Sequence, residues 1–250
     1  MGFDVAADAY DRFMGRYSVG LAAQLADLAG VAAGQRALDV GCGPGALTRE
    51  LVARLGPGDV AAADPSEPFV AAARSRNPGV DVRLAAAEQL PFGDDEFDAV
   101  LAQLVVHFMA DPVAGLREMA RVARPGGAVA ACVWDHAGGQ GPLGVFWESV
   151  HALDAAVRDE SGLAGAREGH LLELFAAARL RETEQTVIAA RLEHPSFDEW
   201  WEPFTLGVGP AGAYVAGLRE DERVPLRERC RELLPGAQPP VAWAVRGSVA

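Results

Sequence analysis

Apolar and polar positions alternate along this chain in two rhythms, and the switch between them outlines a fold. "QRALDVGCG" (35–43) is a short apolar run that ends in glycines and predicts a buried strand. "PGALTRELVARLG" (44–56) changes to helical spacing, which predicts a helix opened by Pro44 and closed near Gly56. "GDVAAADPS" (58–66) predicts a second strand ending at Asp64, and "PFVAAARSR" (68–76) a helix running into an "NPG" turn. "VDVRLAAAE" (80–88) and the start of "FDAVLAQLVVHF" (97–108) predict strands three and four across the polar turn "PFGDDE". "PVAGLREMARVAR" (112–124) has helical spacing, and "AVAACVW" (128–134) predicts strand five.

Short apolar strands alternating with helices imply an α/β fold with a mostly parallel, Rossmann-like sheet covered on both faces. Ligands of such sheets bind beyond the carboxyl ends of the strands. Before the first strand, residues 4–30 predict a helical region. After residue 135 the chain is more helical and aromatic, with "TEQTVIAARLE" (183–193) and "PVAWAVRGSV" (240–249) as late strands at the far edge of the same sheet. The expected organisation is an N-terminal helical region (1–35), a ligand-binding core (36–135), and a helical cap with the last two strands (136–250).

Charge narrows the function. The formal net charge is −13, which disfavours nucleic acid and anionic membrane surfaces as partners. All 22 basic residues are arginine, so a phosphate-loop lysine, a Schiff-base lysine and a lysine general base are excluded. The three cysteines, Cys42, Cys132 and Cys230, are scattered as in a reducing cytosol, and neither they nor the histidines show metal-ligand spacing. "MGFDVAADAYDRF" carries acids where an export signal has basic residues, so a cytoplasmic location is expected.

The glycine loop "LDVGCGPGALT" (38–48) is built for close approach of backbone to a nucleotide-like ligand. Asp64, at the end of the next strand, is placed to accept hydrogen bonds from a ribose diol. Two adenosine cofactors fit this far. Gly41, Gly43 and Ala46 satisfy the dinucleotide spacing, so a nicotinamide-dependent oxidoreductase is one reading. Against it, Asp39 would face an ammonium more usefully than a pyrophosphate, and Pro44 removes an amide donor.

"LDVGCGPGALT" resembles motif I of class I S-adenosylmethionine-dependent methyltransferases. "AAADPS", "AAAEQLPFGDDEFDAVLAQLVVHF" and "RVARPGGAVA" follow in the family's order. The similarity is to the small-molecule branch that includes the ubiquinone and menaquinone biosynthesis methyltransferases. It covers residues 10–134. It implies a seven-stranded sheet, S-adenosylmethionine as cofactor, S-adenosylhomocysteine as product and a small-molecule methyl acceptor. It also implies roles: Asp39 at the methionine ammonium, Gly41, Cys42, Gly43 and Gly45 as the loop, and Asp64 on the ribose with Pro65 and Ser66 beside the adenine. Ala87 and Glu88 would lie at the adenine edge and Gln103 near the methionine end. At the N-terminus, "YDRFMGRYS" (10–18) resembles the lid segment that several relatives fold over the cofactor, so Arg16 would pair with the methionine carboxylate and Tyr10 or Tyr17 would cover the sulfonium. In one departure, Ala86 stands where many relatives carry an acid.

Methyl transfer needs alignment, and a base only where the acceptor loses a proton. His107 after strand four and His136 after strand five are the candidate bases, and Trp134, Phe146, Trp147, Trp201 and Phe204 the candidate walls of an apolar acceptor pocket. A fold that binds cofactor without turnover is the remaining alternative.

Overall fold

The computed structural model describes residues 7–192 and 194–250. The first residues of the predicted N-terminal helix and of the expected non-signal stretch lie outside the described residues. The chain opens with a short helix α1 (Ala7–Tyr10), a π-helical turn (Asp11–Gly15) and α2 (Arg16–Leu28). There follow β1 (Ala37–Val40), α3 (Ala46–Leu55), β2 (Val60–Asp64), α4 (Glu67–Arg76), β3 (Asp81–Leu84), β4 (Phe97–Gln103), α5 (Pro112–Val122) and β5 (Ala123–Trp134). The second half contributes α6 (Gly144–Leu153), α7 (His170–Ala177), β6 (Arg181–Ala189), α8 (Phe197–Trp201), α9 (Gly209–Gly217), α10 (Glu220–Leu233) and β7 (Val241–Ser248).

The seven strands form one sheet in the order β3-β2-β1-β4-β5-β7-β6. β1 to β5 pair in parallel, and β7 runs antiparallel to both β5 and β6. The order reverses between β1 and β4, so the carboxyl ends of β1, β2 and β4 surround one crevice. Apolar residues cover both faces, with Leu116, Met119, Leu171 and Phe175 of α5 and α7 on one and Leu21, Leu25, Leu47 and Leu51 of α2 and α3 on the other. That two-sided burial explains why β1 and β2 are buried at every position.

Three local departures have physical causes. α3 begins at Ala46 rather than at Pro44, because Gly45 caps it in the left-handed region at φ 95°. β5 begins five residues before the predicted "AVAACVW", because Ala123 already pairs with Phe97 before a shift in register. The helical cap has two parts: α6 precedes β6, while α8, α9 and α10 lie between β6 and β7. These helices share a core of their own, into which Phe13 of the N-terminal segment inserts. Among the described residues no helix is long and apolar enough to cross a membrane.

Candidate functional site

The glycine loop crosses the crevice under tight constraint. Gly41, Gly43 and Gly45 all hold positive φ, at 69°, 52° and 95°. A Cβ on Gly41 would collide with Val105, and one on Gly45 with Asn77, whereas one on Gly43 would meet nothing. The loop is thus packed from below at two glycines and open at the middle one, where a ligand can lie on bare backbone.

Its amides are consumed internally. Gly41 and Cys42 both donate to the Ala63 carbonyl, at 2.8 and 3.0 Å, and Gly45 donates to the Cys42 carbonyl at 3.0 Å. Gly43 donates to Asp64 Oδ2 at 2.8 Å, and Pro44 has no N–H. No amide of residues 41–45 is left to cradle a phosphate.

Two carboxylates lie beneath. Asp39, 1 % exposed on β1, accepts from Thr48 Oγ1 through Oδ2 at 2.6 Å, and its Oδ1 is buried with no partner. Burial raises its pKa to about 7; the Thr48 bond lowers it and the nearby Asp64 charge raises it. Asp64 accepts from Gly43 and from the Ser66 amide at 2.8 Å, and burial holds its pKa above the ordinary value. Cys42 is buried beside them, its thiol pushed well up by burial and then by both acids. An orphaned carboxylate oxygen beside a second acid favours a cationic group and repels a pyrophosphate.

The other expected cofactor residues differ in their surroundings. Gln103 donates to the Ser18 carbonyl at 3.0 Å and leaves its buried Oε1 unpaired. Ala87 is buried, and Glu88 accepts from the Asp111 amide at 3.2 Å. Pro65 follows Asp64 directly after β2. The Tyr10 ring packs against Phe69 at 5.3 Å, and burial pushes its phenol up to about 12. Arg16 faces the cap instead, donating to the Glu199 carbonyl at 3.2 Å, and its Nε is buried without a partner.

Beyond the end of β4 the chain touches Gly41 through Val105 and then lines a second cavity with Leu104 and His107. This chamber is walled by Phe13, Met14, Phe108, Trp134, Leu143 and Val208, with Tyr10, His107, His136 and Glu160 as its polar groups. Its free volume is about 40 Å³, room for a few water molecules. His107 and His136 stand with ring centroids 5.9 Å apart and planes 70° apart. Burial lowers His107 to about 3, reinforced by repulsion from His136, and lowers His136 to about 4 against the pull of Asp159 and Asp135. Both imidazoles are therefore neutral at physiological pH.

The aromatic residues divide. Trp134 lines the chamber, and Trp147 lines an outer cleft that shares His136 with it. Phe146, Trp201 and Phe204 do not line the chamber but form the cap's own core, with Phe146 stacked on Phe204 at 4.7 Å. Phe13 bridges the two, meeting Phe204 edge-on at 5.3 Å. Glu160 was missed by sequence reasoning. It sits in "RDESG", which has the composition of a solvated turn, yet it is only 5 % exposed.

Residues 38–131 match the family described as "Methyltransferase domain". The core is a class I methyltransferase domain. An uncharacterised methyltransferase of Mycobacterium tuberculosis (strain ATCC 25618 / H37Rv) is 40% identical over 104 residues, 42% of this chain and 41% of that protein. A demethylmenaquinone methyltransferase of Clavibacter sepedonicus is 38% identical over 137 residues, 52% of this chain and 55% of that protein. The chain thus spans about two fifths to one half of the length of these relatives. Among solved structures, geranyl diphosphate C-methyltransferase from Streptomyces coelicolor A3(2), in complex with Mg²⁺, geranyl diphosphate and S-adenosyl-L-homocysteine, superposes with a TM-score of 0.53. It has 16% identity, over 92% of this chain and 78% of that one. The methyltransferase domain accounts for β1 to β5 and the glycine loop, while the chamber draws its roof from the N-terminal segment and the cap outside residues 38–131.

Proposed function

We propose that the protein is an S-adenosylmethionine-dependent methyltransferase acting on a small, largely apolar molecule. The observation that carries this reading is the buried, unpaired Asp39 Oδ1 below a glycine loop whose amides are all consumed. That combination suits the ammonium of the methionine moiety and not a dinucleotide pyrophosphate. The residues present fit the cofactor: Asp39 would hold the ammonium, the open face of Gly43 would carry the amino-acid and ribose backbone, and Asp64 would take the ribose hydroxyls. Ala87 and Glu88 would border the adenine, and Gln103 the methionine end. With Ala86 in the place of an acid, adenine recognition falls to backbone groups and Glu88.

When bound, the cofactor supplies an electrophilic methyl on sulfur. The protein's part is alignment, exclusion of water and, through neutral His107 or His136, acceptance of a proton. The chamber next to Val105 is the acceptor site in this reading. The Streptomyces neighbour holds a diphosphate with Mg²⁺. Here the chamber presents no arginine, and among the described residues no three His, Cys, Asp or Glu side chains converge as metal ligands. A diphosphate acceptor therefore fits poorly.

Calorimetric titration with S-adenosylmethionine, S-adenosylhomocysteine and NADH tests the cofactor assignment. Micromolar heats for the first two, none for NADH, and at least tenfold weakening in Asp64→Ala are expected. Binding of NADH alone overturns it.

A further inference from the structure

Two buried polar atoms border the apolar chamber with nothing to bind. His107, 8 % exposed, has an unpaired Nδ1, and Glu160, 5 % exposed, has an unpaired Oε2. The Trp147 indole approaches Glu160 and tempers the rise in its pKa, but the contact falls short of a hydrogen bond and leaves Trp147 Nε1 unpaired as well. Buried groups of this kind are costly unless something satisfies them. They lie in one cavity whose remaining walls are almost all carbon, so a single ligand can satisfy both.

Resting on the methyltransferase reading, we propose that the acceptor is an uncharged, largely apolar molecule with two hydrogen-bond donors. One is a hydroxyl that reacts against His107, and the other is bound by the Glu160 carboxyl. The charge pattern supports the exclusion of anions: the chamber holds Tyr10, His107, His136 and Glu160 as its only titratable groups among the described residues, and no cation at neutral pH. Burial holds Glu160 near 7, so it binds a donor either as carboxylate or, protonated, through its remaining lone pairs.

The nature of the nucleophile follows from the unpaired ring nitrogen. His107 Nδ1 is buried without a partner at the chamber wall, so it accepts from a donor on the reacting atom. A hydroxyl supplies that donor, and its proton becomes acidic as the oxygen gains the methyl group. The oxygen lone pair forms the new O–C bond, the electron pair of the breaking C–S bond stays on sulfur, and the hydroxyl proton passes to a ring nitrogen of His107. The resulting imidazolium returns the proton to solvent. His107 is then a catalytic residue and Glu160 a specificity residue. His136, 5.9 Å from His107, lowers its basicity and so favours proton return.

The test uses the full chain saturated with S-adenosylhomocysteine, whose calorimetric heat is measured first, so that failure of the cofactor reading registers before any acceptor is added. Three probes of one outline follow: 2,7-dihydroxynaphthalene, 2-naphthol and 2-naphthoate, read by quenching of tryptophan fluorescence, since Trp134 lines the chamber. The dihydroxy probe is expected to bind at least tenfold tighter than naphthoate and severalfold tighter than naphthol. Glu160→Gln should reduce the dihydroxy-to-naphthol ratio to below threefold, with the S-adenosylhomocysteine heat retained. His107→Leu should leave probe binding within about fivefold while cutting single-turnover O-methyl product at least 100-fold. If Glu160→Gln loses the S-adenosylhomocysteine heat, Leu143→Trp takes its place; by filling the chamber it should abolish probe binding. Equal or tighter binding of naphthoate, an unchanged ratio in Glu160→Gln, binding that survives Leu143→Trp, or no probe binding while S-adenosylhomocysteine binds would each overturn the proposal.

Discussion

Thr48 Oγ1 donates to Asp39 Oδ2 at 2.6 Å, so the first turn of α3 holds one oxygen of the buried acid and leaves the other without a partner. This bond offsets part of the desolvation that raises Asp39 to about 7. A ligand that binds only the ionised carboxylate gains affinity with pH up to that value, by as much as about tenfold per unit. Calorimetry between pH 5.5 and 8.5 should show S-adenosylmethionine binding tighten through about pH 7. Thr48→Val should move the midpoint upward, and Asp39→Asn should bind weakly with no such dependence. A pH-independent affinity in the unmodified protein would remove Asp39 from the site.

The glycine loop separates folding from binding. Gly41→Ala drives a Cβ into Val105 at φ 69° and should cost on the order of 2–4 kcal/mol of stability by denaturant unfolding. Gly43→Ala meets no protein atom at φ 52° and should cost only about 1 kcal/mol. Its methyl group stands in the crevice, however, and cofactor affinity should fall at least tenfold. Unimpaired binding by Gly43→Ala would place the cofactor elsewhere.

Stability of the free protein should peak near pH 6.5. Asp39 and Glu160, both held near 7, keep protons in the native state that unfolded carboxyls lose near 4, so their effect is to lower stability as pH rises. His107, His136 and His194, lowered by burial to about 3, 4 and 4, are neutral when folded and charged below 6.5 when unfolded, so they raise stability with pH. Below 6.5 the two trends oppose each other; above it only the acids remain. Thermal unfolding should show Tm falling from pH 6.5 to 8, and Asp39→Asn should make that fall distinctly shallower. An unchanged slope in the variant would contradict the buried-acid account.

The N-terminal segment is fastened to both sides of the crevice. Asp11 pairs with Arg76 of α4 at 2.6 Å, and Arg12 with Glu202 beside α8 at 2.5 Å. Such surface pairs are worth at most about 1 kcal/mol each, so the buried Phe13 ring carries most of the attachment. Phe13→Ala should speed amide exchange across residues 9–17 at least tenfold while leaving β1 and β4 protected. Equal protection in the variant would mean that the segment is held by something other than the cap.

The parts of this architecture that could be read from sequence are those set by local patterning. β2 is an unbroken apolar run closed by Asp64, and β1 and β4 are apolar runs interrupted only by Asp39 and Asp98. Of the two late strands, β7 falls within the predicted 240–249, whereas β6 (Arg181–Ala189) begins two residues before the predicted 183–193 and ends four residues before its close. The chamber could be read only in part. His107 and His136 follow the ends of strands that the sheet order makes neighbours, so their closeness follows from their places in the sequence. Which face of a helix Phe146 or Trp201 presents depends on how α6 and α8 pack on each other, which no local pattern states. Glu160 is buried by distant aromatic residues rather than by its polar neighbours in sequence, so composition pointed the wrong way. Arg16 similarly follows α2 toward Glu199 because of where the cap lies.

With about 40 Å³ free, the chamber offers no ready-made mould for an acceptor. Space has to be opened between the strand ends, which carry His107, Trp134 and His136, and the apolar roof of Phe13, Met14 and Val208. A guest there meets carbon on nearly every side, so apolar contact alone separates one guest from another weakly. In the proposed reading the distance between a guest's polar atoms, set against His107 and Glu160, does the sorting.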